Sequence, residues 1–138
     1  MIRAHFAGTV YFLLVFTAGF VLGTVRTLIF VPRVGPLVAT LIEAPMMLAI
    51  GYAACRFVLK RWPVPTGRWL IVPVFLMLLV LFEWQLGLWL FGTTAAQQWA
   101  GLAAPAGLVG LTAQILVALF PLLVERSGAS PLSNQAPR

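Results

Sequence analysis

Four long apolar stretches alternate along this chain with three short segments that collect its prolines, glycines and charges. Ala4 to Val25, Trp69 to Phe82 and Trp84 to Val124 contain no Asp, Glu, Lys or Arg. An apolar run of about 18 or more residues is long enough to cross a bilayer as a helix. The pattern predicts helices over about 6–30, 37–59, 69–91 and 106–124. Pro32-Arg33-Val34-Gly35-Pro36 predicts a tight reversal after the first, since proline donates no backbone hydrogen bond and glycine accepts turn geometry. Arg56, Lys60, Arg61, Pro63, Pro65, Gly67 and Arg68 mark the second connection, flanked by Trp62 and Trp69 as headgroup-level aromatics. In the third, Thr93 or Thr94 is placed to cap a short interfacial helix through Gln97, Gln98 and Trp99, stopped by Pro105.

Composition then sets the class. The chain is 62% hydrophobic and 9% charged, against about 25% charged for a soluble domain. The expected fold is an all-α integral membrane four-helix bundle of up-down-up-down order. Residues 1–126 form the membrane domain, and 127–138, rich in Ser, Pro and Ala, form a disordered tail. The first apolar run exceeds the about 7–15 residues of a signal-peptide core, so it reads as a retained helix.

The net charge of +6 changes the picture only through its placement. Four spans put Arg3, Arg56, Lys60, Arg61, Arg68, Arg126 and Arg138 on one side, and leave Arg26 and Arg33 toward the other. Positive charge stays inside, so both termini are expected in the cytoplasm; the surplus of Arg over Lys fits a GC-rich genome, and a bacterial inner membrane is the expected location. The basic residues mark helix ends and meet anionic lipid; they form no nucleic-acid surface. A single cysteine, Cys55, excludes an internal disulfide or a CxxC pair. No metal-ligand cluster, nucleotide loop or nucleophile–base pair is evident, so no metal, cofactor or catalytic residue is assigned.

The candidate chemistry is four polar residues in apolar surroundings: Arg26, Glu43, Glu83 and Gln114. Arg26 lies eight residues before Val34 and Glu43 nine after it, which places both roughly 12 Å from the turn. Glu83 and Gln114 stand at matching distances from the third connection. One polar layer from all four helices follows, turned inward because a lipid-facing charge at mid-membrane costs about 2.5–3.5 kcal/mol. Small residues share these faces: Gly19 and Gly23 with Arg26, Gly51 with Thr40, Glu43 and Met47, Gly87 with Glu83, and Gly107 and Gly110 with Gln114. Such residues let membrane helices approach closely. Gly19 and Gly23 serve an internal contact or a homodimer. The Arg26 fork is expected to hold Glu43 in a buried ion pair. That leaves Glu83 to titrate or to bind something cationic, while Arg33 draws an anion to the outer boundary or snorkels.

Gly23-x-x-Arg26, Pro32-Arg33-x-Gly35 and Glu43-x-Pro45 resemble a pattern in small four-span bacterial membrane proteins of unassigned function. The resemblance covers the first two helices and implies no activity. Likeness to the small multidrug transporters is one of size only, since their essential glutamate lies in the first helix, where this chain has Arg26. The leading functional expectation is an auxiliary or assembly component, acting through its helices on a membrane-protein partner or on the lipid bilayer. A small proton-coupled transporter working as a homo-oligomer comes second. A lipid-modifying enzyme using the carboxylates as acid and base comes third.

Overall fold

The computed structural model describes residues 2–64 and 67–124. The disordered tail expected over 127–138, with Arg126 and Arg138, lies outside these residues. The described chain is helical and contains no strand. Four helices are long and apolar enough to cross a membrane: α1 (Ile2–Val34), α2 (Pro36–Arg61), α3 (Arg68–Trp89) and α5 (Pro105–Leu123). Between the last two lies the short α4 (Ala95–Ala103).

The first turn differs from the expected one. Helix α1 does not end at Phe30 but continues through Pro32 and Arg33 to Val34. It accommodates Pro32 by widening into a π-helical turn over Arg26–Phe30, closed by Val31 N–H donating to Arg26 O. Proline in a regular helix removes one hydrogen bond and clashes with the carbonyl four residues back; an inserted π turn relieves that register. The reversal is made by Gly35 alone, whose φ of 80° suits glycine. Pro36 then opens α2, where the missing N–H costs nothing.

The other end of α3 is closed by the loop that follows it. Thr93 donates to Gly87 O through both its backbone N–H (3.0 Å) and its hydroxyl (2.7 Å). Thr94, not Thr93, caps α4: its hydroxyl accepts from Gln97 N–H, and the Gln97 side chain accepts from Thr94 N–H. This reciprocal capping box satisfies two amides that no helical partner can reach. Helix α4 ends at Ala103, and the extended Ala104 separates it from Pro105.

In the bundle, α2 packs on α1 and α5, and α3 packs on α1 and, over a smaller area, on α5. The core gathers at the end that holds both Arg3 and the second connection: Tyr11, Phe12, Val58, Ile71 and Phe75 are all nearly inaccessible. Phe6 packs edge-on against Trp62 there. Arg68 donates to Val124 O at 3.0 Å and so caps the last carbonyls of α5. Leu28, Trp69, Met77, Val80, Trp89 and Leu123 face outward, as apolar residues do on lipid-facing helices.

Tyr11 ties three helices together. Its hydroxyl lies 2.7 Å from Val117 O on α5 and 3.4 Å from Gly51 O on α2. Val117 is four residues before Pro121, which lies inside α5 and donates no hydrogen bond. The tyrosine therefore supplies the donor that the proline withholds from Val117. In an apolar core no water is available to do so.

The helical glycines differ in what they meet. Gly51 is a close helix contact: a methyl group there would stand 2.9 Å from Val117 side-chain atoms. Gly19 meets Met47 and Gly23 faces Glu43, both across the α1–α2 interface. Gly87 and Gly107 are also close contacts, but with α4: Gly87 against the Gln98 side chain, Gly107 against Gly101 O and Leu102. Gly110, expected at a packing face, has no described neighbour within 4 Å of where a Cβ would stand. It faces the open space at the Gly35 end of the bundle, beside Arg26 and Gln114. Gly8 was not singled out from the pattern, yet it is buried against Val74 and Ile71 of α3.

Candidate functional site

At the Gly35 end of the bundle the helices do not close. A cleft of about 320 Å³ opens there, lined by α1 (Arg26, Thr27, Val31), α2 (Pro36, Thr40), α3 (Glu83), α4 (Gly101, Leu102) and α5 (Ala106, Gly107, Gly110, Leu111, Gln114). The fold-back of α4 builds one wall. It rests on α3 through Gln98 Nε2 donating to Trp84 O (3.4 Å) and through the edge-on Trp84–Trp99 pair, whose ring centroids are 5.8 Å apart. Its other end reaches α5 through the close Gly101–Gly107 approach.

The cleft contains the polar residues expected to form a layer. Arg26 Nη1 lies 3.1 Å from Glu43 Oε2 and 3.2 Å from Thr40 Oγ1. The Thr40 hydroxyl in turn donates to Pro36 O at 2.9 Å, which leaves its oxygen free to accept from Arg26. Arg26 therefore does not grip Glu43 with both arms of its fork. One nitrogen is divided between a carboxylate and a hydroxyl. The pair is also not buried as expected: the side chains are 33% and 14% exposed, because Arg26 forms part of an open wall. Glu43 joins the cluster through Arg26 rather than as a lining residue.

Across the cleft, Gln114 Nε2 donates to Glu83 Oε1. Glu83 is thus held by a neutral amide. It is exposed rather than turned into the bundle, since the contact between α3 and α5 is slight and α4 bridges their ends instead. Arg33 stands apart: its Nη1 turns back to Ile29 O at 2.7 Å. It is exposed and does not line the cleft.

Arg26, Glu43, Glu83 and Gln114 are thus brought to one place, and Gly107 and Gly110 shape its wall. Gly19, Gly23 and Gly51 lie on the α2 interfaces instead. Thr40, Gly101 and Leu102 complete the cleft and were not assigned from the sequence. Thr40 was legible as sharing a face with Glu43. Gly101 and Leu102 carried no signal, because their role depends on where α4 lands. Among the described residues, no three His, Cys, Asp or Glu side chains stand close enough to hold a metal ion.

The chain matches no protein-family model, no curated protein and no solved structure.

Proposed function

We propose that this is an integral membrane protein with four spans in up-down-up-down order and both termini in the cytoplasm of a bacterial cell. It serves as an auxiliary or assembly component, engaging a partner protein or lipid through its membrane helices. One observation carries this reading. Charged and polar groups from all four long helices converge on a cleft that is open at one end of the bundle, while the remaining surface is apolar enough to face lipid. A polar group in hydrocarbon requires a partner, and an open cleft offers these groups to another molecule. The skew of Lys and Arg toward the Arg3 end supports the orientation.

Native mass spectrometry of the protein, extracted gently from its own membrane, tests the assignment. A second protein at fixed stoichiometry, or a retained lipid, is the expected result. A bare chain without companion or lipid counts against it. The carrier reading is favoured by the exposure of Glu83, and pH-dependent flux in proteoliposomes, lost in Glu83→Gln, would place it ahead.

A further inference from the structure

The cleft has an uneven charge account among the described residues. Its cluster contains one cation, Arg26, and two carboxylates, Glu43 and Glu83. Arg26 commits Nη1 to Glu43 and Thr40, while Glu83 is met by the amide of Gln114. With Glu83 ionised, two negative charges share the single cation of Arg26 beside an accessible space. The same space is walled by Val31, Pro36, Leu102, Ala106 and Leu111. Its volume of about 320 Å³ lies at the lower end of the about 300–1,000 Å³ typical of small-molecule pockets.

We propose that the cleft is a binding site for an ammonium group on an apolar stem. Glu83 receives the ammonium, and the side-chain amide of Gln114 fixes the carboxylate by donating to its other oxygen. The stem lies along Leu102, Ala106 and Leu111. Arg26 directs Nη1 to Glu43 and Thr40, so one cation serves two carboxylates and leaves room for the ligand's charge at Glu83. The ammonium group is carried either by a lipid headgroup or by a free amine. The inference shares with the accessory reading only the premise that the cleft is where this protein meets other molecules. It needs no partner protein.

Gly110 supplies a test that leaves every charge in place. It lines the cleft, and a side chain there meets no described atom within 4 Å of its Cβ. The Gly110→Leu variant therefore starts its side chain from open space and extends it into the site. The measurement is titration of the purified full chain in detergent with dansylcadaverine, a fluorescent primary amine, read by energy transfer from tryptophan. The matched probe is dansyl-aminohexanoate, which carries a carboxylate instead. Saturable binding of the amine and not of the acid is expected. Glu83→Gln and Gly110→Leu should each weaken the amine by about tenfold or more, the loss of one charged contact or of the space itself. If Glu83→Gln fails to fold, Gly110→Leu decides alone. Absence of saturable amine binding, equal binding of the acid, or unchanged binding by Gly110→Leu overturns the proposal.

Competition identifies the source. Displacement by phosphatidylethanolamine bicelles but not by phosphatidylcholine bicelles assigns a lipid headgroup with N–H donors. Displacement by butylamine but by neither lipid assigns a free amine. Either result upholds an ammonium site. Because no partner protein is present in the titration, its failure is distinct from failure to recover a companion by mass spectrometry.

Discussion

Tyr11 and Pro121 are 110 residues apart in the chain, yet the hydroxyl of one answers the missing N–H of the other through Val117 O. Removing the hydroxyl leaves a buried carbonyl without a donor, at a cost of about 1–3 kcal/mol in this setting; measured membrane values fall nearer 1 kcal/mol. Tyr11→Phe should lower the thermal midpoint of the detergent-solubilised protein accordingly. Pro121→Ala gives position 121 its N–H and a regular bond to Val117 O. Tyr11→Phe should therefore cost less in the Pro121→Ala background than in the natural chain. Equal costs in the two backgrounds would mean the hydroxyl does not compensate the proline. Threonines follow the same physics on a smaller scale. Thr24, Thr27, Thr40 and Thr112 each donate to the carbonyl four residues earlier, the local partner available to a hydroxyl where water is scarce. Of these, Thr40 alone also accepts from a charged group, and so it helps to position Arg26.

Helix contacts are set by where the small residues fall. At Gly51 the backbone of α2 approaches Val117 of α5 so closely that a methyl group would stand 2.9 Å from its side chain. Gly51→Ala should destabilise the protein by about 1–3 kcal/mol, the usual cost of overpacking. Val117→Ala should recover part of that loss in the double variant, as read by thermal denaturation. A neutral Gly51→Ala would show that the two helices separate freely. Prolines act at the same level with different results. Pro32 is absorbed by a π turn, Pro36 and Pro105 begin helices, and Pro121 is tolerated because another helix supplies the donor. Hydrophobic pattern alone locates all four helices long and apolar enough to cross a membrane. It misplaces the end of α1, because whether proline stops a helix depends on whether a π turn or a neighbour can take up the freed carbonyls.

In the whole molecule, α4 decides what the polar residues become. Its fold-back onto Trp84 and Gly107 sets Gly101 and Leu102 beside Glu83 and Gln114, at the slight contact between α3 and α5. Together they line a walled cleft. Orientation also belongs to this scale. Four spans with both termini inside predict that alkaline phosphatase, active only outside the cytoplasm, is inactive when fused after Val124. Inserted after Gly35 it should be active. The reverse pattern would overturn the orientation and place the cleft mouth in the cytoplasm.

The sequence by itself determined the four helices long and apolar enough to cross a membrane, the short capped helix, and the grouping of Arg26 and Glu43 across the first reversal. These follow from quantities local to the chain: apolar run length, proline and glycine chemistry, and the fixed rise of a helix. The pairing of Arg26 with Glu43 was legible for the same reason, since the two stand eight residues before and nine after Val34, at matching rises from the first reversal. Only the tertiary structure decided that Arg26 divides one nitrogen between Glu43 and Thr40, that Glu83 opens onto a cleft, and that Tyr11 serves Val117. Each of these depends on the relative rotation and spacing of helices that are distant in sequence. Side-chain packing sets both, and no periodicity within a single helix encodes them.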